Sequence, residues 1–205
     1  KGTFRGEYVP GFETSGDEKL FDADNVLDEQ GKKIETKEYE VSADKKRIIF
    51  FNGTEPIYRR SSKANYYVYE LATKKLAPLS AGGKQSYATY SPDGKFVAYT
   101  VTSIDRDADK RVNAVWMVNW EGTEDVQLTF GEKSASTPRW SPDGKYLAFL
   151  SARAPDDKTQ VWVLDRRGGE ARQLTNVKGE IDSYDWSPDS KRLVLSMSES
   201  DEDKA

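Results

Sequence analysis

The sequence predicts an all-β fold: a β-propeller of four-stranded blades, with about four to five repeat units making a partial or small propeller. Three observations predict it. A ten-residue motif recurs at nearly constant intervals. Each recurrence continues into short apolar segments with strand periodicity rather than helical periodicity. The breaks between those segments are rich in turn residues.

The motif reads Tyr90-Ser-Pro-Asp-Gly-Lys-Phe-Val-Ala-Tyr99 and returns as Trp140-Ser-Pro-Asp-Gly-Lys-Tyr-Leu-Ala-Phe149. Weaker copies are Trp186-Ser-Pro-Asp-Ser-Lys-Arg-Leu-Val-Leu195 and Val41-Ser-Ala-Asp-Lys-Lys-Arg-Ile-Ile-Phe50. The serines Ser42, Ser91, Ser141 and Ser187 are spaced by 49, 50 and 46 residues, the length of one four-stranded blade.

Each unit begins with a short strand that ends on an aromatic (Tyr90, Trp140, Trp186) and enters the Ser-Pro-Asp-Gly turn. Pro92 and Pro142 preset φ near −65° in that turn, and Gly94 and Gly144 give it a permissive exit. An alternating apolar strand such as 146–150 follows. The third strand is almost wholly apolar or aromatic, at 66–69, 115–118 and 161–164, as expected where both faces are covered. A fourth closes the unit at 76–79, 126–129 and 171–175. Full units are expected near 37–80, 86–130 and 135–176, with partial units at 4–35 and 181–198. The charged tail from Ser198 to Ala205 is expected to fray.

Composition excludes several function classes. The chain has 205 residues, 36% of them hydrophobic and 32% charged, which suits a folded domain with a substantial core. A net charge of −4 is spread along the chain without a basic stripe, so no nucleic-acid partner is expected. No apolar run approaches the ~20 residues of a spanning helix, and no membrane partner is expected. Lys1 to Pro10 lacks the apolar stretch of a secretory signal. Cysteine is absent, which removes disulfides and thiolate metal sites without identifying a compartment.

The most informative count is zero histidines. A Ser-His-Asp triad and a His-Glu-x-x-His zinc site both need imidazole, and no G-x-S-x-G elbow occurs either. No catalytic residue, metal ligand set or cofactor is expected in this chain.

The repeats resemble the propeller of the prolyl oligopeptidase family of serine peptidases, in which a β-propeller caps an α/β-hydrolase domain. Residues 2–100 look like a bacterial dipeptidyl peptidase IV propeller, through the segments 2–12, Glu55-Pro-Ile-Tyr-Arg-Arg-Ser61 and Asn65-Tyr-Tyr-Val-Tyr69. From about residue 97 onward the chain resembles the acylaminoacyl-peptidase branch, through Gln127-Leu-Thr-Phe-Gly131, 138–144 and 160–170. The resemblance implies a hybrid of two branches, with an apparent deletion near 17–25. It also implies that Arg59 helps hold a substrate carbonyl. The adjacent glutamates that bind the substrate amino terminus in that branch have no counterpart, because no Glu-Glu pair exists here.

Other candidates read more simply as structure. Asp105, Asp107 and Asp109 alternate like a calcium loop, but Lys110 replaces the glycine and Trp116 stands where the bidentate glutamate belongs. Asp22-Ala-Asp-Asn25 has the same weakness. Trp116, Trp140, Trp162 and Trp186 hold fixed places in the repeat and are expected to pack between blades. Trp120, beside a turn, is the one that could serve another purpose. Asn52-Gly-Thr54 matches a glycosylation acceptor pattern, and Gly82-Gly83 and Gly168-Gly169 read as connection turns.

The leading expectation is therefore a non-catalytic propeller module of a dipeptidyl- or acylaminoacyl-type peptidase. It would gate and help bind a peptide substrate together with a hydrolase domain that this chain does not contain. The alternatives are a free-standing TolB-like interaction propeller and an engineered chimeric propeller without activity. Open strand edges are expected to favour homo-oligomers.

Overall fold

The computed structural model describes residues 21–28, 30–42, 44–58, 61–80, 84–105, 110–120, 123–153 and 157–198. Fourteen antiparallel strands account for most of them. The first four are β1 (Glu38–Val41), β2 (Arg47–Tyr58), β3 (Ser61–Glu70) and β4 (Leu76–Pro78). The next are β5 (Gln85–Tyr90), β6 (Phe96–Asp105), β7 (Lys110–Asn119) and β8 (Asp125–Gln127). A third set comprises β9 (Ala135–Trp140), β10 (Tyr146–Ser151), β11 (Gln160–Asp165) and β12 (Arg172–Gln173). The last two are β13 (Ile181–Trp186) and β14 (Leu193–Met197). No α-helix occurs among the described residues; a 3₁₀ turn spans Ala23–Asn25.

Each set is a meander in sequence order, and its core lies between sheets. In β10, Leu147 and Phe149 turn back onto Ala98, Val115 and Trp140 of the preceding strands. Ala148 and Leu150 face forward onto Val161, Ile181 and Tyr184. Successive side chains of a strand point to opposite faces, so a strand packed on both sides must be apolar throughout. Leu147 to Ser151 are accordingly all buried. Phe149 is 0% exposed, and truncating such a ring to alanine costs about 3–5 kcal/mol.

The four motif copies make the same turn. Each serine hydroxyl accepts the N–H five residues on: Arg47 (3.0 Å), Phe96 (3.0 Å), Tyr146 (3.0 Å) and Arg192 (2.9 Å). The same hydroxyls donate to Asp44, Asp93, Asp143 and Asp189 at 2.5–2.7 Å. The carboxylates in turn accept the N–H groups of Lys46, Lys95, Lys145 and Lys191. The exit residue lies in the left-handed region in every copy: Lys45 (φ 57°), Gly94 (67°), Gly144 (69°) and Ser190 (59°). The degenerate copies thus keep the turn while losing its preferred glycine.

Two features depart from a simple row of separate blades. Ala64 on β3 pairs with Gln85 on β5, and this one contact joins the first two sets into an eight-stranded sheet. Gln85 is nearly fully buried there, and its Oε1 accepts the N–H of Tyr66. Second, the described part of the expected 4–35 unit, residues 21–35, carries only one isolated bridge, Leu27 with Lys33. Its Phe21, Val26 and Ile34 cover Ile48, Phe50 and Tyr69. That face of β2 is opposite the one on which Ile49 meets Tyr90, Val97 and Tyr99. The segment therefore seals the first sheet from behind.

Candidate functional site

The meander gives the molecule two chemically distinct ends. The four Ser-Asp turns precede β2, β6, β10 and β14, so they share one end of the sheets. The hairpin tips β2–β3 and β6–β7 and the β10–β11 connection share the other, which we call the loop end.

Arg59, the residue implied by resemblance to bind substrate, lies outside the described residues. In sequence it falls between Tyr58, the last residue of β2, and Ser61, the first of β3, the two strands of one hairpin. At 12 residues β2 is twice the length of β10, at 6, so this hairpin reaches up to about 20 Å further at the loop end. Ion pairs brace its outer part: Glu55 meets Lys84 at 2.5 Å and Lys63 at 3.3 Å. The Lys84 ammonium also donates to the carbonyl of Gly53. Gly53 (φ 61°) sits in a bulge that shifts the register between Asn52 and Glu55. The Asn52-Gly-Thr54 pattern is part of that bulge, with Thr54 donating to Glu38.

Arg153 stands at the same end, two residues beyond β10. Its guanidinium carbon lies 5.4 Å from the Phe149 ring centroid and 5.9 Å from that of Trp162. Burial draws its pKa below the ordinary arginine value.

The turn end is a chain of contacts between successive turns. Arg47 donates from Nη1 to the Gly94 carbonyl at 2.8 Å, and Arg166 donates from Nη2 to Asp93 at 2.7 Å. The Asp143 N–H reaches Ser190 Oγ at 3.0 Å. Arg47 also stacks on Trp120, 3.6 Å above its centroid, and Trp120 packs against the core between the first two sheets. Trp120, the one tryptophan whose place beside a turn leaves another purpose open in the sequence, is thus a packing residue like the other four, with a partner 73 residues upstream that no local pattern reveals.

Among the described residues, one carboxyl group is shifted upward. Glu40 on β1 is pushed up to about 7, chiefly by loss of hydration, against the opposing pull of Arg139 and the Tyr90 N–H. Arg139 in turn lies 4.0 Å from Asp185. Glu40, Thr89, Arg139 and Asp185 each stand two residues before their motif serine. That equivalence is legible in the repeat, and it is the signal that could have found this cluster.

The remaining acidic candidates do not assemble into a site. Asp107 and Asp109 lie outside the described residues, and Asp105 only terminates β6. The Asp22 carboxylate accepts from the side-chain amide of Asn25, and Asp24 pairs with Lys33. No group of three metal-ligating side chains occurs among the described residues.

Stacked antiparallel meanders with turns at one end and hairpin tips at the other define a β-propeller region. Two family models then match consecutive stretches of it. The Dipeptidyl peptidase IV (DPP IV) N-terminal region matches residues 42–103. The N-terminal domain of the acylamino-acid-releasing enzyme matches 98–160, and the two overlap within β6. An uncharacterized peptidase, YuxL, of Bacillus subtilis is 39% identical over 67 residues, covering 33% of this chain and 10% of that protein. A probable dipeptidyl-aminopeptidase B of Tuber melanosporum is 26% identical over 146 residues, 62% of this chain and 16% of its own length. The chain thus spans only about a tenth to a sixth of these relatives.

Among solved structures, dipeptidyl peptidase 4 of Porphyromonas gingivalis superposes with a TM-score of 0.67 at 20% identity, over 87% of this chain and 31% of that one. TolB of Acinetobacter baumannii gives 0.54 at 22%, over 79% and 37%. These two likenesses show the fold. The family models, which together span 42–160, are those of N-terminal regions of peptidase-family proteins.

Proposed function

We propose that this chain is the non-catalytic propeller wall of a dipeptidyl- or acylaminoacyl-type serine peptidase. Its loop end receives peptide and restricts which peptides reach a separate hydrolase domain. The observation that carries the reading is the pair of family matches covering 42–160 in a chain without a single histidine. A serine hydrolase triad needs an imidazole to take the nucleophile's proton, so bond cleavage falls to other residues than these. Arg59, which follows Tyr58 in sequence, supplies a donor for a substrate carbonyl. A second expected property is self-association. Among the described strands β14 pairs only with β13, and its free edge can accept a further strand.

The test is a paired assay on the purified chain. Dipeptidyl and acylaminoacyl p-nitroanilides should release no product, while a fluorescent peptide should bind and lose affinity in Arg59→Ala. Turnover by the isolated chain, or peptide binding that ignores Arg59→Ala, would overturn the reading.

A further inference from the structure

We infer that Arg139 is a latch shared between β1 and β13, and that the charge on Glu40 decides which strand it holds. The inference goes beyond the peptide reading and does not depend on it.

Glu40, Thr89, Arg139 and Asp185 hold the same repeat position on β1, β5, β9 and β13, the strands that open the four repeats. Arg139 thus stands between two carboxylates. On one side Asp185 lies 4.0 Å from its Nη1, with side-chain exposures of 47% for the arginine and 70% for the aspartate. Water screens such a pair, so little holds Arg139 there. On the other side Glu40 acts on Arg139 electrostatically, and its loss of hydration leaves its charge, once formed, less screened. Thr89, at the same position on β5, brings no charge.

The chain has no histidine, so no imidazole titrates near neutrality, whereas Glu40 does, at about 7. The groups that face it keep their charge through that window. Tyr66 on β3 is pushed up to about 12 by burial, and Tyr90 on β5 is raised for the same reason. The Tyr90 N–H, like Arg139, favours the ionised carboxyl. On β2 the register partner of Glu40 is the apolar Ile49, and on β1 itself Glu38 accepts the Thr54 hydroxyl. Below the midpoint Glu40 is neutral and Arg139 stays with Asp185. Above it the new charge draws Arg139 toward β1, and by reciprocity the approach of Arg139 favours ionisation. Asp185 is then left with the Trp186 N–H, which its Oδ1 accepts at 2.8 Å. The hold of β9 on β13 loosens, although the Trp186 indole and Tyr184 hydroxyl still donate to the Arg139 and Thr137 carbonyls.

The experiment is an NMR titration of the full chain across neutral pH, read at two backbone amides: Tyr90, which faces Glu40, and Trp186, which Asp185 accepts. In the wild-type chain both should shift with one midpoint near 7. Glu40→Gln should abolish both shifts. Arg139→Met should abolish the Trp186 shift and raise the Tyr90 midpoint by about half a pH unit, the scale of one exposed ion pair. Asp185→Asn frees Arg139 for Glu40 and should lower the Tyr90 midpoint; combined with Arg139→Met it should leave that midpoint where Arg139→Met alone puts it. A Tyr90 shift with Trp186 flat would overturn the latch, as would no titration at either amide, or a Trp186 shift that survives Arg139→Met. The first two of these are read on the wild-type chain, so a variant that fails to fold leaves the test intact.

Discussion

Arg166, which follows β11, donates to the carboxylate of Asp93 across 73 residues of sequence, at 2.7 Å. The contact ties the third sheet to the turn of the second. Both side chains keep substantial exposure, 27% and 36%, so water screens the pair. Arg166 adds cation–π contacts to Phe96 and Trp140 at 5.1 and 5.7 Å.

Arg166→Ala should destabilise the chain by about 1–2 kcal/mol, since it removes the ion pair and the ring contacts together. A double-mutant cycle with Asp93→Ala, read by urea denaturation, should assign about 0.5–1 kcal/mol to the pair itself. Additive losses would mean that the turns do not brace one another.

Gly94 carries the left-handed turn of the second unit at φ 67°, and a Cβ placed there would lie 3.2 Å from the Asp44 carboxyl. Gly94→Ala should therefore cost about 1–2 kcal/mol through backbone strain and the displaced carboxylate. In the first unit Lys45 occupies the same position at φ 57°, and Lys45→Gly should relieve strain and raise the melting temperature. A loss of stability in Lys45→Gly together with no loss in Gly94→Ala would contradict the shared turn geometry.

Protons act in opposite directions on two sets of carboxylates. Glu40 titrates at about 7 instead of 4.5, so the folded chain keeps a proton that the unfolded chain has released. Its contribution falls as pH rises through that window. The turn aspartates lie below 3.8. At Asp44 and Asp93 burial opposes ionisation, but hydrogen bonds outweigh it; at Asp143 and Asp189 the serine hydroxyl leads. The stability they add is complete above 3.8 and lost as pH falls through their folded values. Glu40→Gln should raise stability at pH 8 relative to wild type by about 1–2 kcal/mol and have little effect at pH 5. Identical pH profiles for the two proteins would refute the assignment.

Among the described strands the outer edge of β14 has no partner, which predicts self-association. Leu195 at its centre is half-buried and Val194 is 71% exposed. Val194→Lys should shift a concentration-dependent oligomer to monomer in size-exclusion chromatography with light scattering, without lowering the melting temperature. A wild-type chain that stays monomeric at high concentration would show that the edge is already protected.

Much of the fold was legible because it repeats. The Ser-x-Asp signature marks a turn whose hydroxyl and carboxylate satisfy the same three backbone and side-chain bonds in every copy, even where Ala43 or Ser190 replaces the usual residue. The apolar third strands followed from burial on both faces. What was not legible depends on contacts with no local period. The 4–35 unit looks like a partial repeat in sequence, yet its Phe21, Val26 and Ile34 work as a cover. The environment of Arg153 comes from rings on β10 and β11, and that of Glu40 from Tyr90 and Arg139 on distant strands. Spacing along one strand reports neither.

The most direct test of the account is native-state hydrogen exchange resolved to single amides. Stacked blades predict strong protection in β6, β7, β10 and β11, and at the Phe96 and Tyr146 amides that serine hydroxyls accept. Exchange at unfolded-chain rates through those strands, with the rest of the protein folded, would contradict it.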